Sequence, residues 1–156
     1  MILKRTISDD PDFRRLVTQL DEFLAEIDGE EHAYYSQFNG LDGIPYAVVA
    51  YEVDQAVGCG AFRPHAPVIA EIKRMFVLPE HRGKRIGALV LEELEAWARE
   101  LGYTDCVLET GHKQQAAVNL YQRSGYEVIS NYGQYADVGN SVCMKKNISL
   151  GEEAAV

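Results

Sequence analysis

Several features that this 156-residue sequence lacks narrow its function before any motif is considered. It has no run of about 18 uncharged apolar residues, which excludes a membrane-spanning helix. Its first residues include Lys4, Arg5, Asp9 and Asp10 and lack a signal-peptide core. Its three cysteines form no C-x-x-C pair, so neither a disulfide framework nor a thiolate zinc site is indicated. We therefore expect a cytoplasmic protein with no membrane contact and no bound metal.

Positive charge is also scarce, with 15 Lys and Arg against 24 Asp and Glu, for a net charge of −9. Such a chain repels nucleic acid, so we expect no nucleic-acid partner. The scarcity is uneven, because Glu71 to Gly87 contains five basic and two acidic residues, whereas Asp21 to Glu31 contains six acids and no base. A cationic segment within an acidic chain indicates an anionic ligand bound at that segment.

Two common nucleotide-binding motifs are missing. The phosphate-loop pattern G-x-x-x-x-G-K-[ST] does not occur. Gly58-Cys59-Gly60 lacks the third glycine of a dinucleotide fingerprint and lies within a predicted strand. The sequence therefore supports neither a nucleoside triphosphate nor a nicotinamide cofactor.

The length suits one domain, and the hydrophobic periodicity predicts the element order β-α-α-β-β-β-α-β-α-β-β. Helices are predicted from the Ser8–Pro11 start to Asp28 and over 30–38, 82–101 and 114–124. Strands are predicted over 1–7, 44–53, 56–62, 67–78, 103–108, 126–129 and 141–146, with a tight turn at Asp54-Gln55. This order predicts an α/β fold with a central mixed sheet flanked by helices. We expect the domain to span 1–148 and a flexible tail to span 149–156.

The segment from Ala70 to Gly87 predicts a strand that leads through a cationic, glycine-containing turn into a long helix. Free amides at the helix start, the positive end of the helix dipole and the side chains of Arg82, Lys84 and Arg85 would together form an anion site suited to a pyrophosphate. A solvated surface loop is the alternative interpretation of the same residues.

Two motifs in this order resemble those of the GNAT superfamily of N-acetyltransferases. Arg82-Gly-Lys-Arg-Ile-Gly87 matches the outer positions of [QR]-x-x-G-x-[GA], with Arg85 in place of the central glycine. Ala117-Val-Asn-Leu-Tyr-Gln-Arg-Ser-Gly-Tyr126 is similar to A-x-x-L-Y-x-x-x-G-[FY]. The resemblance extends from about Tyr46 to Lys146. We expect Arg85 to lie in the first helical turn, where a residue other than glycine is sterically possible.

The resemblance implies a single GNAT-type domain that uses acetyl-CoA and moves its acetyl group to a primary amine by direct attack. Backbone groups of the fourth strand would bind the pantetheine arm, and the cationic turn would bind the pyrophosphate. The implied coenzyme-binding residues are Met75, Phe76, Val77, Arg82, Gly83, Lys84, Arg85, Ile86, Gly87, Ala88 and Asn119.

The resemblance also implies two catalytic residues. Tyr121 corresponds to the general acid, and a phenol with a pKa of about 10 can protonate a thiolate whose conjugate acid has a pKa of about 8.5. Glu71 lies where some members of the superfamily keep a general base, acting through a water molecule. Each has a structural alternative: Tyr121 as a core residue, and Glu71 as the ion-pair partner of Lys73 on the same strand face.

The acceptor side is less defined. The resemblance points to Glu30, Glu31, Tyr132 and Tyr135 as acceptor-binding residues, and solvated turn residues are the alternative. The acids favour a cationic primary amine, either a small molecule or a peptide. A homodimer is compatible with the resemblance. A non-catalytic coenzyme-A-binding module is the alternative function, and the replacement of glycine by Arg85 speaks for it.

Overall fold

The computed structural model of the chain describes residues 1–28, 44–136 and 139–149. These residues form seven strands and three α-helices in the predicted alternation, which confirms the mixed α/β fold. The predicted helix over 30–38 lies outside the described residues. The strands are β1 (Ile2–Thr6), β2 (Tyr46–Glu52), β3 (Gln55–Ala66), β4 (Ile69–Val77), β5 (Asp105–Gly111), β6 (Glu127–Ile129) and β7 (Ser141–Asn147), and the helices are α1 (Pro11–Asp28), α2 (Ile86–Glu100) and α3 (Gln115–Arg123).

The strands form one mixed sheet in the order β1-β2-β3-β4-β5-β7-β6. β1 pairs antiparallel with β2, β2 with β3, and β7 with both β5 and β6. The parallel register of β4 and β5 ends with Glu71 opposite Val107. The predicted β2–β3 hairpin is confirmed, but its turn is Val53-Asp54, one residue earlier than predicted. Both turn residues have positive φ, at 47° and 67°, as a two-residue hairpin turn requires.

Helix α1 begins where the sequence predicts. The Oδ1 of Asp10 accepts hydrogen bonds from the amides of Asp12 at 2.8 Å and Phe13 at 3.2 Å, so Asp10 caps the helix. Its Oδ2 accepts a hydrogen bond from Lys4 Nζ at 2.9 Å, which ties the helix to β1. Burial opposes the charge of Asp10, but the hydrogen bonds from Lys4 and the amides outweigh it and hold the pKa of Asp10 below its usual value.

The chain divides into two compact units, of which the first comprises Met1–Arg63 and Lys73–Leu94. Its core forms where the apolar face of α1 covers the sheet. A side chain at Gly60 would meet Met75 Sδ and Leu94 Cδ1, the latter at 2.8 Å, so β3 and α2 approach closely at this glycine. The buried cluster consists of Phe13, Leu16, Val17, Leu20, Ile44, Ala47, Val49, Cys59, Ala61, Phe76 and Leu78.

The second unit comprises Pro64–Ile72 and Glu95–Val156. It contains a buried carboxylate, Glu95, which is 4% exposed. Glu95 accepts hydrogen bonds from Tyr126 Oη at 2.9 Å and from Lys146 Nζ at 2.8 Å, one at each carboxylate oxygen. These two bonds compensate the cost of burying the charge and connect α2 to the segment after α3 and to β7.

The main difference from the predicted boundaries concerns α2, which begins at Ile86 rather than Arg82. Gly83 and Arg85 have φ of 82° and 64°, and these left-handed conformations cannot belong to a right-handed helix. In the part of the chain that the structure describes, no helix is both long enough and apolar enough to cross a membrane.

Candidate functional site

Residues 79–85, here called the cationic turn, connect β4 to α2 in the first unit. The turn opens with a short 3₁₀ helix, Pro79–His81, and then reverses at Gly83. The expectation that Arg85 lies in the first helical turn is wrong. Arg85 precedes the helix in a left-handed conformation, and its carbonyl accepts the first helical hydrogen bond from Leu89 N at 3.0 Å. Glycine adopts this conformation without strain, which explains why the motif has glycine here.

The start of α2 offers backbone donors. The amides of Ile86, Gly87 and Ala88 precede the first helical hydrogen bond, so they have no acceptor within the helix and lie at the positive end of its dipole. The side chain of Ile86 is buried and anchors the helix start. Three such amides beside exposed cations could hold an anion, and the binding of a pyrophosphate here stays a prediction.

The cations of the turn are not equivalent. Arg82 Nε donates to Val77 O at 3.1 Å, and its guanidinium lies 4.8 Å from the centre of the Phe23 ring. Arg82 therefore braces the turn against β4 and α1. Its role in binding an anion stays a prediction.

Lys84 and Arg85 have looser contacts. Lys84 Nζ lies 3.8 Å from Glu52 Oε2, and half of its side chain is exposed. Arg85 is 75% exposed, and the nearest carboxylate oxygen recorded for it belongs to Glu92 at 4.0 Å. Surface pairs of this length contribute little to stability, so these two cations are available to an exposed anion.

Met75–Val77, the predicted backbone ligands, continue β4 past the last residue pair with β5. Phe76 is buried in the core cluster against Phe23, with ring centres 6.3 Å apart. The side chain of Phe76 therefore belongs to the core. The backbone role of the segment stays a prediction.

Arg74, which the sequence analysis did not single out, is buried within β4. Its side chain is 2% exposed, its φ is 60°, and its Nη2 donates to Asp21 Oδ1 at 2.5 Å. No described residue accepts a hydrogen bond from its Nε, which is buried. The residue pattern of Ile69–Val77 does not indicate this conformation. The one available signal is an arginine within a predicted strand.

In the second unit, Glu71 and Tyr132 come together as two of the predicted site residues. Tyr132 Oη donates to Glu71 Oε2 at 2.9 Å, and Glu71 is 2% exposed. Burial, followed by the charge of Glu71 and the hydrogen bond to it, raises the pKa of Tyr132 well above its usual value. Tyr132 thus remains a neutral donor. Lys73, the alternative partner of Glu71, is buried as well.

Two aromatic rings hold Tyr132 in place. Tyr135 is buried, and its ring meets that of Tyr132 at 90° with centres 5.8 Å apart. The exposed ring of His65 packs edge-on at 4.9 Å. Tyr135 therefore supports Tyr132 from the core, and its contact with an acceptor stays a prediction. Glu30 and Glu31 lie outside the described residues.

Tyr121 differs from its neighbour Tyr126. The two rings pack edge-on with centres 6.0 Å apart. Tyr126 Oη donates to Glu95, whereas among residues 1–28, 44–136 and 139–149 no hydrogen-bond partner of the Tyr121 hydroxyl is found. Burial, followed by the charge of Glu109, raises the pKa of Tyr121, so it stays protonated at neutral pH. Tyr121 therefore has a proton to give and no described protein partner for it.

Two further polar residues of the second unit are Asn119, which the resemblance implies as a coenzyme ligand, and Glu109. Asn119, on α3, is exposed, and its Oδ1 accepts a hydrogen bond from Gln115 Nε2 at 2.9 Å. Its contact with coenzyme A stays a prediction. Glu109, at the end of β5, is partly exposed, and its Oε2 accepts a hydrogen bond from Ser141 Oγ at 2.7 Å. Ser141 thus fixes one oxygen of a carboxylate close enough to influence Tyr121.

Residues 11–126 match the model of the acetyltransferase (GNAT) family. The IAA acetyltransferase of Azospirillum brasilense is 33% identical over 135 residues, which cover 85% of this chain and 88% of that protein. A solved structure of a Klebsiella pneumoniae protein, named there as an acyl-CoA N-acyltransferase by assignment, is 30% identical to this chain and has a TM-score of 0.80. The match covers 95% of this chain and 97% of the Klebsiella chain. The N-acetyltransferase PaiA of Thermoplasma acidophilum, solved in complex with coenzyme A, is 19% identical with a TM-score of 0.69, over 94% of this chain and 99% of that chain.

Proposed function

Because the chain belongs to the acetyltransferase (GNAT) family, we propose that it transfers an acetyl group from acetyl-CoA to a primary amine by direct attack of the amine. The observation that carries the proposal is the Tyr121 hydroxyl, which is protonated and has no hydrogen-bond partner among the described residues, although the adjacent Tyr126 hydroxyl is bound. The name of the Azospirillum relative supports acetyl as the group transferred.

The cationic turn and the start of α2 would hold the coenzyme. The amides of Ile86, Gly87 and Ala88, with the side chains of Lys84 and Arg85, would bind its pyrophosphate. The backbone of Met75–Val77 would bind the pantetheine arm. Acetyl-CoA supplies an activated acetyl thioester, and the protein's own task is to orient that group and to move two protons.

Glu71 is proposed to accept the proton of the amine, and Tyr121 to donate a proton to the departing sulfur. A carboxylate that is 2% exposed has no direct route to bulk water, so a bridging water molecule would carry the proton to Glu71. Tyr132 would keep the Glu71 carboxylate oriented through the hydrogen bond at 2.9 Å. The raised pKa of Tyr121 keeps its proton in place until a thiolate forms.

The test is thiol release from acetyl-CoA with a panel of primary amines, for the wild type and for Tyr121→Phe. General-acid catalysis is worth about 100-fold or more, so we expect kcat to fall by about that factor while the KM for acetyl-CoA stays constant. Tyr126→Phe is the matched control, because it removes the hydroxyl of the adjacent ring. Full turnover by Tyr121→Phe would assign Tyr121 to the core.

The alternative function is a coenzyme-A-binding module without catalysis, favoured by the strained Arg85 in the place of a motif glycine. It retains the cationic turn but has no need of Tyr121 or Glu71. Tight binding of coenzyme A without turnover of any amine would support this alternative. Failure to bind both coenzyme A and acetyl-CoA would exclude both functions.

A further inference from the structure

Arg74 is a buried cation that the proposed reaction does not use. Its side chain is 2% exposed, and it occupies β4 with a left-handed φ of 60°. A buried guanidinium is costly unless its charge is balanced and its N–H groups are hydrogen-bonded, and a left-handed arginine adds strain. We therefore look for an interaction of Arg74 that offsets both the burial of its charge and its backbone strain.

The partners of Arg74 satisfy only part of this requirement. Asp21 Oδ1 accepts from Nη2, and Asp21 is itself half exposed on α1. No described residue accepts from Nε. Nε and Nη2 lie on the same edge of a guanidinium, and together they match the two oxygens of one carboxylate. Asp21 therefore binds only Nη2 of this edge and leaves Nε without an acceptor among the described residues. Because Asp21 is half exposed, it connects the edge to the protein surface.

A second arginine contacts the same part of α1. The guanidinium of Arg82 lies over Phe23, two residues after Asp21 on α1, and Phe76, two residues after Arg74 on β4, packs against the same ring. Arg74 thus contacts Asp21, and Arg82 contacts Phe23, in the same part of α1. Arg74 also directly precedes Met75, the first of the residues whose backbone is proposed above to bind the pantetheine arm.

We propose that the Nε and Nη2 edge of Arg74 binds a carboxylate of the acceptor, so that the acceptor is an amine that also carries a carboxylate. Asp21 occupies part of this edge when no acceptor is bound. The inference rests on the proposed function for the amine and goes beyond it by naming the second group of the acceptor. It excludes polyamines, which carry no carboxylate.

Matched acceptor pairs test the proposal with the wild-type protein. Glycine, β-alanine and 4-aminobutanoate are compared with methylamine, ethylamine and propylamine, which lack only the carboxylate. We expect kcat/KM to be at least about tenfold higher for the acid of at least one pair, because a charge-assisted bidentate contact is lost in its partner. Equal or higher kcat/KM for the amines in all three pairs would overturn the proposal and leave the proposed function standing.

Two variants locate the effect. Arg74→Lys keeps the buried charge but removes the two-donor edge, so the ratio of kcat/KM for the acid to kcat/KM for its matched amine should fall to about one. Asp21→Asn removes the competing carboxylate, so the KM for the acid should fall. A structural Arg74–Asp21 pair predicts the reverse, with an unchanged preference in Arg74→Lys and a higher or unchanged KM in Asp21→Asn.

A binding measurement covers the case in which none of these amines is acetylated, which would count against the proposed function for this panel. Thermal unfolding of the wild type is then followed with 4-aminobutanoate and with propylamine. A rise in Tm with the acid alone, absent in Arg74→Lys, supports the carboxylate site. Equal effects of the two compounds, or a rise that persists in Arg74→Lys, overturn it.

Discussion

The cationic turn of the first unit and the buried carboxylates of the second unit differ in how their charges are exposed. In the first unit, the cationic turn displays Lys84 and Arg85 at the surface, and the nearest carboxylate oxygens recorded among the described residues lie at 3.8 and 4.0 Å. In the second unit, Glu71 and Glu95 are buried and accept hydrogen bonds from tyrosines at 2.9 Å. Exposed cations suit the holding of an anionic ligand, whereas a buried carboxylate that accepts from a tyrosine hydroxyl, as Glu71 does, suits the control of a proton. Substitutions in the first unit should therefore change ligand affinity, and those in the second should change turnover or stability.

Among these predictions, Glu71→Gln should have the largest effect, on kcat. It tests most directly whether the buried carboxylates of the second unit control turnover. Removing the proposed base should lower kcat by about 100-fold at neutral pH, with the KM for acetyl-CoA unchanged. Steady-state thiol release measures both quantities. Tyr132→Phe is the matched control, because it keeps the carboxylate and removes only its donor, and it should cost a few-fold at most. Wild-type kcat in Glu71→Gln would make Glu71 a structural acceptor and break the contrast.

Tyr126→Phe should come next, as a change in the second unit that lowers stability. The variant leaves one oxygen of the buried Glu95 without its donor, so the free energy of unfolding should fall by about 1–3 kcal/mol. Tyr121→Phe removes a hydroxyl with no described partner and should change it by less than about 0.5 kcal/mol. Urea unfolding of the two variants measures the difference. Equal losses would show that the two tyrosines are equivalent core residues.

Asp10→Asn tests a buried carboxylate that lies in the first unit, outside the group of buried carboxylates in the second unit. The asparagine keeps the capping oxygen but loses the charge that Lys4 and the helix amides stabilise. The folded pKa of Asp10 lies below its unfolded value of about 4, so its contribution is present above that pH and is lost as the pH falls through the folded pKa. We expect the variant to be about 1 kcal/mol less stable at pH 7 and the difference to shrink below pH 4. Asp9→Asn, in an exposed pair, serves as the control.

Arg85→Gly should have the smallest effect and the most direct bearing on affinity. Glycine relieves the left-handed strain, so stability should rise by about 1 kcal/mol. Loss of the cation should raise the KM for acetyl-CoA about three- to tenfold. Arg85→Lys separates the two effects, because it keeps both the charge and the strain and should resemble the wild type. An unchanged KM in Arg85→Gly would remove Arg85 from the anion site.

Much of the fold follows from local pattern. The helical spacing of apolar residues predicts α1, and the segment Ser8–Pro11 predicts its start. The structure identifies Asp10 as the capping residue. The β2–β3 hairpin and the strand order along the chain followed from alternation and turn residues in the same way. The GNAT resemblance predicted the single domain, which the Klebsiella structure supports over 95% of the chain.

The deviations lie where residues adopt conformations that their side chains disfavour. Arg74 and Arg85 have positive φ, and nothing in an arginine's propensity indicates this. Arg74 donates a hydrogen bond to Asp21, 53 positions earlier in the chain, and the Arg85 carbonyl accepts the first hydrogen bond of α2. The pairing of Glu71 with Tyr132 likewise joins residues 61 positions apart, which no local pattern relates.

Gly60 constrains how this sequence can change over time. A methyl group there would meet Met75 Sδ, Leu94 Cδ1 at 2.8 Å and Val90 Cγ1 at 3.0 Å. An alanine at position 60 therefore requires these side chains to shift or to become smaller. The same exchange at position 60 would cost more or less stability according to which residues occupy positions 75, 90 and 94 when it occurs.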